Sequence, residues 1–119
     1  IGVPSQDRGH IGRGVEQDHK KAAEWLGKAA DQGHADAQAY FGWMYEIGRG
    51  VEQDYNKAAG WYSKAADQGN AIAQHNLGLM YEKGIGVKKD VDKAAEWYRK
   101  AAGQGNEKAK EGLKRLGGK

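Results

Sequence analysis

Cysteine is absent from the 119 residues, which excludes disulfides and thiolate metal sites. Long apolar runs are missing too. The longest, residues 39–45, is interrupted by Gly42 and falls far short of the roughly 18 residues a membrane span needs. No basic segment followed by an apolar one opens the chain, and Ile1 stands first, which reads as a processed boundary. A basic stripe is lacking as well. The net charge is +3, and residues 106–119 alone hold five basic side chains against two acidic ones. A nucleic-acid binder should instead carry its basic residues along its length, interleaved with aromatics.

Catalytic and ligand-binding patterns are equally scarce. His10, His19, His34 and His75 show no metal-ligand spacing such as H-E-x-x-H, and no serine sits in a nucleophile context. Gly48-x-Gly50 lacks the third glycine of a phosphate loop, because Gln53 stands there, and no strand precedes it. Asp18, Asp54 and Asp90 are single carboxylates, too few for calcium. The expected catalytic residues, cofactors and metals are therefore none.

Glycine, by contrast, is plentiful, with 19 copies, and it recurs at fixed offsets. Trp25, Trp61 and Trp97 stand 36 residues apart, each preceded by a Gly-x-Gly-Val block and an aspartate, and each followed by Lys-Ala-Ala. A period of this length marks stacked supersecondary units, each unable to bury its apolar face alone. The fold class predicted is all-α, about six helices in antiparallel pairs. The boundaries are an irregular segment at 1–11, an array at 12–117 and a tail at 118–119.

Within a repeat, Ala58, Trp61, Tyr62, Ala65 and Ala66 fall on one helical stripe, here termed helix B. Asp18, Asp54 and Asp90 precede the three copies as N-caps, and Gly33, Gly69 and Gly105 close them. Ala37, Phe41, Met44 and Tyr45, repeated as Ala73, Leu77, Met80 and Tyr81, form helix A, with His34, Asn70 and Asn106 as N-caps. Val15, Val51 and Val87 drop back into the core from the turn between the two. Gly42 and Gly78 remove bulk where helices approach closely, and the register tryptophans are expected to fill the interior.

This pattern, Gly-x-Met-Tyr-Glu-x-Gly-x-Gly-Val-x-x-Asp followed by Lys-Ala-Ala-x-Trp-Tyr-x-Lys-Ala-Ala-x-Gln-Gly, resembles the Sel-one-like repeat (SLR) family, a relative of the tetratricopeptide repeat. The resemblance spans about residues 12–117. It implies a right-handed α/α superhelix, a bacterial source in the cytoplasm, periplasm or outside the cell, and a scaffold that binds a protein or peptide. Disulfide-rich members of the family imply a hydrolase-like or penicillin-binding alternative, for which this chain lacks the cysteines. Nucleic-acid binding through the basic C-terminal helix is a third reading.

About two-thirds of positions 12–47 recur identically at 48–83, and the differences in helix A concentrate on one stripe. By resemblance to the tetratricopeptide arrangement, that stripe lines the concave groove. The expected partner-binding residues are thus Asp36, Ala39, Trp43, Ile47, Ile72, His75, Leu79 and Lys83. Residues 1–11 lack a helix A stripe and carry Pro4, so the first helix B is expected to expose its partner face and to offer a route to self-association.

Overall fold

The computed structural model describes residues 3–117, and the tail at 118–119 lies outside the described residues. Six helices follow in order: α1 (Val3–Asp31), α2 (Ala35–Ile47), α3 (Tyr55–Asp67), α4 (Ala71–Lys83), α5 (Val91–Gly103) and α6 (Glu107–Arg115). No strand occurs among the described residues. The closest pairs are α2 with α3 and α4 with α5, and contacts of α1 with α2, α3 with α4 and α5 with α6 join them into a row. Each element touches near neighbours only, as a solenoid requires.

From α2 onward the caps lie where the repeat pattern puts them. Asp54 and Asp90 accept from the backbone N–H of Lys57 and Lys93, and Asn70 and Asn106 accept from Ala73 and Ala109. His34 holds the N-cap position of α2 with extended backbone, but its ring makes no capping bond. Gly33, Gly69 and Gly105 adopt φ of 92°, 95° and 91°, the left-handed conformation that ends helix B without a Cβ clash.

The core departs from the sequence reading in one respect that matters for the site. Tyr62 and Tyr98, not the adjacent tryptophans, are completely buried, while Trp61 and Trp97 are half-buried and Trp25 is 75% exposed. The buried line on α3 runs through Ala58, Ala59, Tyr62, Ala65 and Ala66, about 100° around the helix from the line centred on Trp61. Close approach is the reason. A Cβ at Gly42 would stand 2.9 Å from the Tyr62 ring and 3.2 Å from the Ala58 carbonyl, and one at Gly78 would stand 2.8 Å from the Tyr98 ring. Helices this close admit a flat phenol with its hydroxyl reaching outward, and the broader indole is left at the rim. There Trp61 meets Phe41 edge-on at 5.2 Å, under the Lys64 ammonium at 4.5 Å.

The first repeat also differs from expectation. α1 runs unbroken for 29 residues, so residues 3–11 are helical rather than irregular, Gly12 and Gly14 make no turn, and Asp18 lies within a helix instead of capping one. Pro4 stands in the first turn, where its missing N–H has no helical acceptor to lose. Where the turn does form, a Cβ at Gly50 would strike the His19 carbonyl and one at Gly86 the Tyr55 carbonyl. The preceding helix B thus pins each glycine loop. Gly14 has nothing within 4 Å, so no such contact pins a loop there. Val15 is accordingly 45% exposed, whereas Val51 and Val87 pack against the core. Trp25 is left without the helix A contact that Trp61 finds in Phe41.

Candidate functional site

Helices α2, α4 and α6, the helix A elements, carry the candidate face. Position by position, the predicted stripe divides. Asp36 is exposed and accepts from the Asn70 side chain at 2.9 Å. Ala39 is buried in the core beside Ala58 and Tyr62, so it presents no surface to a ligand. Trp43 is half-buried, packs against two core clusters, meets Tyr40 edge-on at 5.3 Å and lies under the Arg49 guanidinium at 5.0 Å. Ile47 is exposed and borders a cleft of about 1140 Å³ between α1 and the loop after α2. On α4, Ile72 is 62% exposed, His75 and Leu79 are half-buried and Lys83 is exposed.

His75 is the most enclosed polar member. Its Nδ1 lies 3.0 Å from the Asn76 amide oxygen and its ring 5.8 Å from that of Tyr98. Burial pushes the imidazole below its ordinary range, the Asn76 bond opposes that shift, and the cations Lys108 and Arg115 add to it. The ring is therefore a neutral hydrogen-bonding group at pH 7.

Beneath this face lies a polar spine that the stripe did not reveal. Gln68 Nε2 donates to the Gly33 carbonyl at 2.9 Å and to Gln38 Oε1 at 2.8 Å, while the buried Gln38 donates to the Ala30 carbonyl at 3.1 Å. Gln104, Gly69, Gln74 and Ala66 repeat the arrangement one period later. The buried Gln38 and Gln74 amides are thus partnered, and the exposed Gln68 and Gln104 tie each hairpin to the one before it. A signal existed: Gln38 and Gln74 are identical polar residues one period apart, each directly after an alanine of the helix A stripe.

The hydroxyls of Tyr62 and Tyr98 donate to Glu46 at 2.6 Å and Glu82 at 2.7 Å. Burial, reinforced by the bonded carboxylate, drives both phenols above their ordinary range. Glu82 also receives a two-pronged bond from Arg115, at 2.9 and 2.8 Å, which holds its carboxyl down at about 2 against the opposing effect of burial. With its native value depressed, the unfolded chain binds the extra proton. The stabilisation is complete above the unfolded carboxylate value of about 4.5 and is lost as pH falls toward 2. Arg115 is 49% exposed, so solvent limits the contribution to about 1 kcal/mol. Urea midpoints of the wild type should thus fall more steeply between pH 5 and pH 2 than those of Glu82→Gln. Parallel curves would remove the pair from the stability of the array.

Two of the five C-terminal cations are thereby engaged, Arg115 with Glu82 and Lys110 with Glu107. No group of three metal-ligating side chains occurs among the described residues, and no described helix is long and apolar enough to cross a membrane.

Comparison with known proteins gives one consistent answer. The family model described as Sel1 repeat matches residues 8–34, 35–70 and 71–106. Among solved structures, the chain is similar to a Sel1 repeat protein from Oxalobacter formigenes, with 49% identity and a TM-score of 0.77 over 78% of this chain and 27% of that one. It is also similar to c5321, a protective antigen of uropathogenic Escherichia coli with an SLR fold, at 42% identity and a TM-score of 0.80 over 87% of this chain and 22% of that one. Cysteine rich protein B of Helicobacter pylori matches at 32% identity with a TM-score of 0.70, over 73% of this chain and 65% of that one. The chain thus spans less than two-thirds of each of these proteins. No curated protein matches its sequence.

Proposed function

Because this chain belongs to the Sel1 repeat family, whose fold generally serves protein–protein interaction, we propose that it is a non-catalytic scaffold. It holds a peptide or protein surface against the face carried by α2 and α4. One observation supports this reading above others: Gln38, Met44 and Gln68, which join the repeats, recur identically as Gln74, Met80 and Gln104, whereas Trp43, Ile72, His75, Leu79 and Lys83 differ from their counterparts one period away. Recurring residues serve the stacking, and varied residues on a shared scaffold serve recognition. Ile72 is an apolar side chain left 62% exposed, and Trp43 is the residue type most enriched among interface hot spots. Asp36 and Lys83 supply charges at the margin.

Ile72→Asp is the cleaner test, because so exposed a position tolerates substitution within about 0.5 kcal/mol. Capture of partners by wild type, Ile72→Asp, Trp43→Ala and the control Trp25→Ala should divide them two and two. The first two variants are expected to weaken binding of the same identified protein by about tenfold or more, the equivalent of at least 1.4 kcal/mol. The control should bind as wild type does. A partner indifferent to Ile72→Asp and lost with Trp25→Ala would move recognition to the opposite surface.

A further inference from the structure

Two equivalent carboxylates one repeat apart have different company. Glu82 accepts from the Tyr98 hydroxyl at 2.7 Å and is gripped by Arg115, whose Nε reaches Oε2 at 2.9 Å and whose Nη2 reaches Oε1 at 2.8 Å and the Tyr98 hydroxyl at 3.3 Å. Glu46, its counterpart 36 residues earlier, accepts from Tyr62 at 2.6 Å, yet no cation among the described residues lies within ion-pairing distance of it. The register explains why. Arg115 stands one period after Leu79, and Lys83 one period after Ile47, so the site around Glu46 has neutral side chains at both positions where the site around Glu82 has cations. Among the described residues no buried side-chain polar atom lacks a partner. The second oxygen of Glu46 accepts no bond among them, and so it faces solvent.

We propose that Glu46 and Tyr62 form a subsite for the guanidinium of an arginine side chain on the bound protein, received as Glu82 and Tyr98 receive Arg115 within this chain. The inference rests on the scaffold reading above and names the chemistry of its partner. Arginine fits better than lysine because a carboxylate accepts two parallel N–H bonds from the planar fork, whereas an ammonium is a compact, strongly hydrated charge. Among the described residues no cation pairs with Glu46, and the Arg49 guanidinium lies over the Trp43 ring instead. The facing His75 is held neutral by burial, and Leu79 brings no charge. In the adjoining repeat the chain provides its own arginine, so one of two equivalent sites is closed and the other open.

The test uses the whole chain and three blocked tripeptides, Ala-Arg-Ala, Ala-Lys-Ala and Ala-citrulline-Ala, followed by NMR at the glutamate carboxyl carbons and backbone amides. The arginine peptide should move the Glu46 carboxyl signal saturably. It should bind at least tenfold more tightly than citrulline, which has nearly the same shape without charge, and several-fold more tightly than lysine. Glu46→Gln should lower its affinity at least tenfold, with amide signals outside α2–α4 in place. Leu79→Arg, which sets a guanidinium in the register of Arg115, should close the site and abolish binding. Equal binding of arginine and citrulline, equal binding of lysine, or an arginine affinity unchanged by Glu46→Gln would overturn the proposal. Failure of the scaffold reading looks different. There the tripeptide still moves Glu46, while the captured protein ignores Ile72→Asp. Conversely, a captured protein sensitive to Ile72→Asp but bound equally by Glu46→Gln leaves the face standing and removes the arginine subsite.

Discussion

Replacing Tyr62 by Ala is expected to destabilise the array by about 3–5 kcal/mol, the range for truncating a large buried aromatic. The ring is fully buried in the cluster that joins α2, α3 and α4, with Ala39, Ala58, Leu77 and Met80 around it. The space left cannot close cheaply, because at Gly42 the backbone of α2 already lies close to the Ala58 carbonyl of α3. Tyr62→Phe keeps the ring and removes only the bond to Glu46, so about 0.5–1.5 kcal/mol is expected. Trp61→Ala should cost less than Tyr62→Ala despite the larger side chain, since the indole is half-buried. Trp25→Ala should stay within about 0.5 kcal/mol. Urea unfolding followed by circular dichroism ranks the four. A Trp61→Ala loss exceeding that of Tyr62→Ala would put the indole back in the core.

Gly86→Ala carries the second large effect, about 2–5 kcal/mol. Two costs coincide there. Its φ is 73°, where an ordinary residue is strained by roughly 1–2 kcal/mol, and a Cβ would meet the carbonyl of Tyr55 and the Met80 methyl. The carbonyl belongs to the backbone of the preceding helix B and cannot swing aside, so the loop must move and disturb the contact between repeats, at about 1–3 kcal/mol. Gly60→Ala is the internal control. That glycine lies in α3 with open space beyond its Cα, and alanine there should stabilise by about 0.5–1 kcal/mol. The same substitution thus has opposite signs at two positions. Thermal melting checks both, and a Gly86→Ala melting point equal to that of wild type would mean the loop is not pinned.

Much of the architecture was legible in the chain because it is written locally. The caps Asp54, Asp90, Asn70 and Asn106 and the closing glycines each depend on the backbone of their own helix end. What escaped depends on partners 16 to 35 residues away. Size suggested that the tryptophans would fill the core, but size does not reveal which side of a wide apolar stripe meets the neighbouring glycine. Residues 12–18 repeated the letters of a turn and formed helix instead, since the contact that bends Gly50 comes from the preceding helix B and Gly14 has no counterpart to it. On the candidate face, variability pointed to Trp43, Ile72 and Leu79 but also to Ala39, which the helix turns inward.

The 36-residue period, read alone, determined the class of fold, the number of helices and the positions of nearly every cap, because the hydrophobic stripe and the helix end are properties of consecutive residues. Packing in three dimensions decided the rest. It placed tyrosine rather than tryptophan at the centre, linked the hairpins through paired glutamines, and gave Arg115 to Glu82 while leaving Glu46 open. Those outcomes depend on distances between separate helices, and a repeated sequence assigns equivalent residues to equivalent positions without saying which neighbour stands opposite.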